Sequence, residues 1–374
     1  MFKKQKITWL IIVLCLLFVF TASGCRQPII TELGIPSLSR FETGTLARCV
    51  WDIKYWNGTV YVGGGDYGEN TGPTDLWAYD VQAKEWNSSG SLDSEAITRF
   101  NVINDKLIAP GIDPMGGWNV GNYYELDENG WQEKNVLPAA VHNFDIVEYN
   151  GDIIAGTGCE GHDYPALISH DDGKTFKTIR FYKNGKLYDI EQYDYSRTYE
   201  LFAFKEELYG LVYHKNFDGT YLFELFRLDG ETFVFVKNAD SFLNVSITSL
   251  NILNSKAQFN DNFFISSDYL YVSSDLNEFT KVDLPNGEFA SQFKIIDNTF
   301  YLLCFKQNTD AEKPPFSITM YRSRNGINRF KKVFSLDYEV PPICFDKNGN
   351  NFYLGMGSMH DVHDLNGMVL EVLV

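Results

Sequence analysis

Cysteine and positive charge are both scarce in this chain, and helical periodicity is scarcer still. Six cysteines stand in 374 residues. Beyond Cys15 and Cys25 near the N-terminus, Cys49, Cys159, Cys304 and Cys344 match neither zinc-ribbon nor redox-pair spacing. Cys304 in "FYLLCF" and Cys344 in "PPICFD" lie in strand-like apolar runs and are expected as buried thiols. Lysine and arginine number 32 against 49 acidic residues, for a net charge of −17. Such a surface repels phosphate backbones, which excludes nucleic acid as a partner. There is no Gly-x-x-x-x-Gly-Lys, no Gly-x-Ser-x-Gly and no Gly-x-Gly-x-x-Gly leading into a helix, which excludes the phosphate-cradling loops and the nucleophile elbow. After residue 25 no stretch carries apolar residues at three- and four-residue spacing.

Aromatic residues, by contrast, are abundant, at 16% with 29 Phe and 22 Tyr. That is core material, and it sets this acidic chain apart from acidic disordered ones. The N-terminus pairs Lys3, Lys4 and Lys6 with an apolar run of 14 residues, 7–20, and then "ASGC". The run is shorter than the ~20 residues of a spanning helix, and a basic start, a short apolar stretch and small residues form the export-signal pattern. "ASGC" resembles a bacterial lipobox. The resemblance implies a signal peptide over residues 1–24, cleavage before Cys25, lipid on its sulfur, and a membrane-anchored lipoprotein facing the extracytoplasmic side of the cell envelope. Losing the three signal lysines leaves the mature chain at −20.

Short β-rich runs broken by tight turns fill the remainder and recur seven times. "CVWDIKYWNGTVYVGGG" reads strand, Asn-Gly turn, strand, glycine stop, and the pattern returns from Phe100, Phe144, Tyr199, Ala257, Phe293 and Ile343. The starts are roughly 36 to 58 residues apart, and repeats of ~40–50 residues with four strands each mark propeller blades. One blade cannot bury both of its faces, whereas a ring of blades can. The expected fold is therefore all-β: a single β-propeller of seven four-stranded blades over residues 41–374. Residues 25–40 are read as a lipidated tether, and within them residues 29–33 as a strand that pairs with the C-terminal strand and closes the ring.

Two resemblances refine this. "TVYVGGGDYGENTGPTDLWAYDVQAKEW" is similar to a kelch repeat, carried by Gly63, Gly64, Gly65, Tyr79, Asp80 and Trp86. "SHDDGKTF", residues 169–176, resembles the Asp-box (BNR repeat) of sialidase-like propellers, with worn relatives from Arg227, Ser273 and Ser323. The Asp-box resemblance implies a turn between a blade's third and fourth strands, away from any catalytic face.

Candidate function falls on the loops between second and third strands. These carry His162, His214, His360 and His363 with Asp66, Asp113, Glu160, Asp163, Asp361 and Asp364. Loops on a rigid ring are favourable ground for binding. The candidate ligand-binding set is Asp66, His162, Asp163, His360, Asp361 and His363. Imidazole beside carboxylate suits a divalent metal, although the spacing matches no metal motif and no cofactor is otherwise indicated. Trp118 could stack on a sugar ring. The expected partner is an extracellular protein or glycan, bound without catalysis. The alternatives are a sialidase-like glycosidase and an envelope assembly scaffold. A sialidase needs three arginines converging on a carboxylate. Arg48 stands near the place of the family's Arg-Ile-Pro arginine with Cys49-Val50 in place of Ile-Pro, and Arg99 and Arg197 begin later inner strands.

Overall fold

The computed structural model describes residues 27–36, 50–65, 72–114, 120–158, 164–239, 255–358 and 363–374. Among these, strands account for nearly all regular structure, the exception being a 3-10 turn at Pro285–Gly287. No helix among them is long and apolar enough to cross a membrane.

Each repeat opens with the expected hairpin. Asp52–Trp56 pairs with Thr59–Gly63 across Asn57 and Gly58, which hold φ at 48° and 88° as a two-residue hairpin turn requires. The third strand, Thr74–Asp80, buries Leu76 and Ala78, and Trp86 lies in the fourth, Glu85–Leu92. The same meander builds four-stranded sheets from residues 101–138, 255–281 and 289–338.

The last sheet is assembled from both ends of the chain. Pro342–Asn348, Asn351–Met356 and Val369–Leu373 supply three strands, and Ile29–Gly34 adds the fourth, antiparallel, with Ile29 opposite Leu373. The N-terminal strand thus stands where the sequence places it.

Seven separate four-stranded blades are not what forms, however. Among the described residues five sheets have four strands each, and the third and fourth repeats share one ten-stranded sheet. Gly158, closing the third repeat's second strand, pairs with Arg197 on the fourth repeat's first. The connection between these repeats also holds an additional hairpin, Arg180–Lys183 with Lys186–Leu187. It runs parallel to Thr232–Asn238 and covers that outer edge, which would otherwise offer free N–H and C=O groups.

The core lies between adjacent sheets. Leu76, Leu92 and Ile97 pack with Phe100, Leu107 and Tyr124, while Val50, Ile53 and Val60 of the first repeat pack with Cys344, Tyr353 and Val369 of the last sheet. Cys304 and Cys344 are buried free thiols.

The turn at residues 169–176 shows why its residue types are needed. Ser169 Oγ accepts the Gly173 N–H at 2.9 Å, and Asp171 accepts both the Thr175 N–H at 2.8 Å and its hydroxyl at 2.7 Å. These bonds hold the Asp171 carboxyl down to about 2, well below its usual value. Ser273 with Asp275 and Ser323 with Asn325 repeat the plan in two later turns. Phe176 packs beneath, edge-on to Tyr123. Gly173 sits at φ 76°, and a Cβ there would land on the Tyr123 hydroxyl. Gly173→Ala is therefore expected to cost roughly 1–3 kcal/mol, read as a lower urea midpoint. An unchanged midpoint would mean that the turn adapts.

Candidate functional site

Of the six ligand-binding candidates, Asp66, His162, Asp163, His360 and Asp361 lie outside the described residues, as do Cys25, Arg48, Trp118 and Glu160. His363 is described. Its Nδ1 accepts the Leu365 N–H at 3.1 Å and its carbonyl accepts the Asn366 N–H, so it shapes a turn beside the last sheet. His214 is not in a loop. It sits in Glu207–Lys215 and is buried, because the apolar strand runs two residues further than the turn residues after it suggest. Asp113 pairs with His142, at the start of the third repeat's first strand. Among the described residues no group of three His, Cys, Asp or Glu side chains could hold a metal ion.

The first strands of the repeats surround a cavity of about 700 Å³. Their alternation turns one face of each strand inward, and polar residues recur five or three positions before the hairpin turn. These are Asp52 and Lys54, Arg99 and Asn101, Asp145, Glu200, Ser255, Gln292 and Lys294, and Asp346. Lys256 joins them from the position after Ser255.

Many of these side chains bond to the first strand of the next repeat. Asp52 accepts the Phe100 N–H at 2.9 Å, Asp145 accepts that of Leu201 at 2.9 Å, and Gln292 accepts that of Phe345 at 2.7 Å. Asn101 donates to the Ile146 carbonyl at 2.8 Å, and Ser255 accepts the Phe293 N–H at 3.2 Å. Asp346 accepts the Tyr55 N–H at 2.8 Å, which joins the last sheet to the first.

Opposite charges meet across this belt. Arg99 grips Glu200 with two bonds of 3.0 and 3.1 Å and lies 3.1 Å from Asp145. Lys256 Nζ is 2.6 Å from Asp145 and also pairs with Glu200. Lys294 pairs with Asp52 at 3.2 Å and donates to the Ile53 carbonyl, while Lys54 stands 4.0 Å from Asp346. Burial alone would raise the Asp145 pKa, but Lys256 and Arg99 outweigh it and hold the carboxyl below its usual range. Burial likewise works against a charged Lys294, and Asp52 and Asp346 reverse that effect.

The belt therefore fastens strands together, and its acids and bases are engaged with one another. Arg99 lines the cavity, but Glu200 and Asp145 already engage its guanidinium. Arg197 is not among the lining residues. Its guanidinium lies over the Tyr195 ring at 4.5 Å and the Phe144 ring at 5.7 Å. The described arginines thus do not converge on one pocket.

A second polar network had no signal in the sequence. Glu224, fully buried, accepts from Lys183 at 2.6 Å and from Tyr188, whose hydroxyl is 2.7 Å from that of Tyr193. His214 Nε2 lies 3.4 Å from Glu224, and its Nδ1 is 2.7 Å from Ser196 Oγ. Ser196, His214 and Glu224 are in the order of a hydrolytic triad. All three are buried, and Tyr193 stacks on the imidazole at 4.2 Å, which leaves no room for a substrate. Burial holds His214 below its usual pKa. The network pins the connection at residues 180–194 to the fourth repeat.

No family model and no curated protein matches the chain. Among solved structures, it is similar to the β-propeller domain of the trilobed protease from Pyrococcus furiosus, at 9% identity and TM-score 0.50, covering 86% of this chain and 92% of that one. It is also similar to a puromycin hydrolase mutant, at 8% identity and TM-score 0.50, covering 86% of this chain and 51% of that one. At such identities the likeness carries the fold alone: the chain is a β-propeller.

Proposed function

We propose that this chain is a lipoprotein held at the cell envelope through Cys25. Its seven repeats form a ring closed by the N- and C-terminal strands, and its loop face binds an extracellular protein or glycan without catalysis. The observation that supports this reading is the self-neutralised belt. The belt's charged groups, Asp52, Arg99, Asp145, Glu200, Lys256 and Lys294, pair with one another and with neighbouring strands, so these acids and bases are committed to holding the strands together. Arg99 in particular is already paired with two buried carboxylates, Glu200 and Asp145. The polar connections between second and third strands are then the variable surface available to a partner.

The test is direct. Mature protein and the Cys25→Ala variant are compared for membrane retention. A glycan panel, divalent metals and envelope proteins are offered to the wild type and to the His360→Ala/His363→Ala double variant. Release of Cys25→Ala, with saturable binding weakened in the double variant, is the expected result. Unchanged retention and processing would remove the anchor. Equal binding by the double variant would remove those histidines from the site, and hydrolysis of a glycoside by the wild type would overturn the non-catalytic reading.

A further inference from the structure

The N-terminal strand fixes a direction as well as a place. Ile29–Gly34 runs antiparallel to Val369–Leu373, with Ile29 opposite Leu373 and Gly34 opposite Val369. The Val374 N–H donates to the carbonyl of Asn350, in the tight turn between the last sheet's first two strands. Ile29 therefore stands at the end of the molecule that carries the hairpin turns. Gly34 stands at the opposite end, beside the connection between second and third strands. The chain enters the propeller from the turn side.

Cys25 and Ile29 are four residue steps apart, with only residues 26–28 between them. Fully extended, these steps reach about 14 Å. At that entry point exposed apolar residues gather: Ile29 at 62%, Ile30 at 44%, Leu373 at 42% and Val374 at 36% exposure. Ile29 and Leu373 form a cross-strand pair, so they share one face of the sheet edge. Exposed apolar groups clustered on a strongly acidic chain call for a partner, and such patches mark protein or membrane contacts. The short tether decides between these two. An acylated Cys25 brings lipid within reach of this rim and leaves little slack for the domain to swing away.

We infer that the rim formed by Ile29, Ile30, Leu373 and Val374 rests on the lipid bilayer, so that the propeller sits with its turn side down and its long loops directed away from the membrane. This rests on the lipoprotein reading above. The apolar rim gains by entering the headgroup boundary, and the loop face is left open to soluble or surface-bound partners. The −20 charge of the mature chain disfavours anionic headgroups, so the seat is strongest on zwitterionic lipid.

The experiment uses the full mature lipoprotein in phosphatidylcholine vesicles containing a nitroxide-headgroup lipid. In a Cys49→Ser/Cys159→Ser background, a fluorophore is placed at Ile30→Cys. A second preparation carries it at Phe217→Cys, a residue 69% exposed between the second and third strands of its repeat. Quenching several-fold stronger at position 30 than at 217 is expected, together with its loss in Ile29→Glu/Leu373→Glu while the protein still sediments with the vesicles. Sedimentation with equal quenching at both positions, or stronger quenching at 217, overturns the orientation and leaves the anchor standing. A chain that does not sediment with the vesicles overturns the anchor and the orientation together. Self-quenching at position 30 that grows with protein density, without quenching by lipid, assigns the rim to a second copy and also overturns the inference.

Discussion

Arg99→Leu is expected to lower the melting temperature by roughly 5–10 °C, the equivalent of about 3–5 kcal/mol for breaking a buried ion pair. The guanidinium bridges repeats far apart in sequence through its paired bonds to Glu200 and its contact with Asp145. Without it, Lys256 alone faces two buried carboxylates. Arg99→Lys keeps the charge but not the two-pronged bond, and it should lose less. The pH dependence identifies the cause. Asp145 has a folded pKa below its unfolded value, so its contribution is present above about pH 4 and fades as pH falls through the folded pKa. The difference between wild type and Arg99→Leu should thus be widest above about pH 4 and should shrink in acid. A gap that stays constant down to strong acid would mean that packing of the arginine stem, not its charge, is what was lost.

Deleting residues 29–34 is expected to have an effect of similar size, a fall on the order of 10 °C with a gain in aggregation. The strand holds both of its neighbours. The Leu33 carbonyl accepts the Trp86 indole N–H from the first sheet at 2.7 Å, and Glu32 accepts the Tyr338 hydroxyl from the preceding sheet at 2.8 Å. Leu33 also packs on the apolar cluster of Val50, Tyr79 and Val369. Its removal leaves Val369–Leu373 as a bare, apolar edge. Thermal unfolding with light scattering reads both effects. A deletion variant with unaltered melting and no added scattering would show that the last sheet is stable with three strands.

The meander of strands was legible because its signals are local. Asn57-Gly58 makes a turn on its own, and Leu76 and Ala78 alternate within a single strand. The turn at 169–176 was legible for the same reason, since Ser169, Asp171 and Thr175 bond to one another. The strand at 29–34 could be anticipated from a count, because the last repeat lacked a fourth strand. The belt was not legible. A charge in a strand ordinarily reads as facing water, and nothing near Glu200 announces that Arg99 lies opposite it. The signal was present only across repeats, as polar residues at a fixed distance before each turn. His214 was misplaced because "YHKN" runs into turn residues, while the partners that bury it, Ser196 and Glu224, come from other strands. The hairpin at 180–187 was missed because its charged, weakly alternating residues resemble an ordinary connection. Of the ligand candidates, most lie outside the described residues, and His363 alone is placed.

Pairing Ile29 with Leu373 also sets an order of events during folding. The two residues stand near opposite ends of the chain, so the last sheet cannot be completed until the C-terminal strand is available. Bringing ends so far apart together costs about 5 kcal/mol of chain entropy if the intervening chain is loose. Far less is lost if the intermediate repeats have already stacked and carry the two ends toward each other. Folding should thus proceed repeat by repeat, with the joining of the termini as its slow final step. Until then the N-terminal strand waits unpaired, and the time for which that edge stays open is the interval in which the chain is most exposed to misassembly with a second copy.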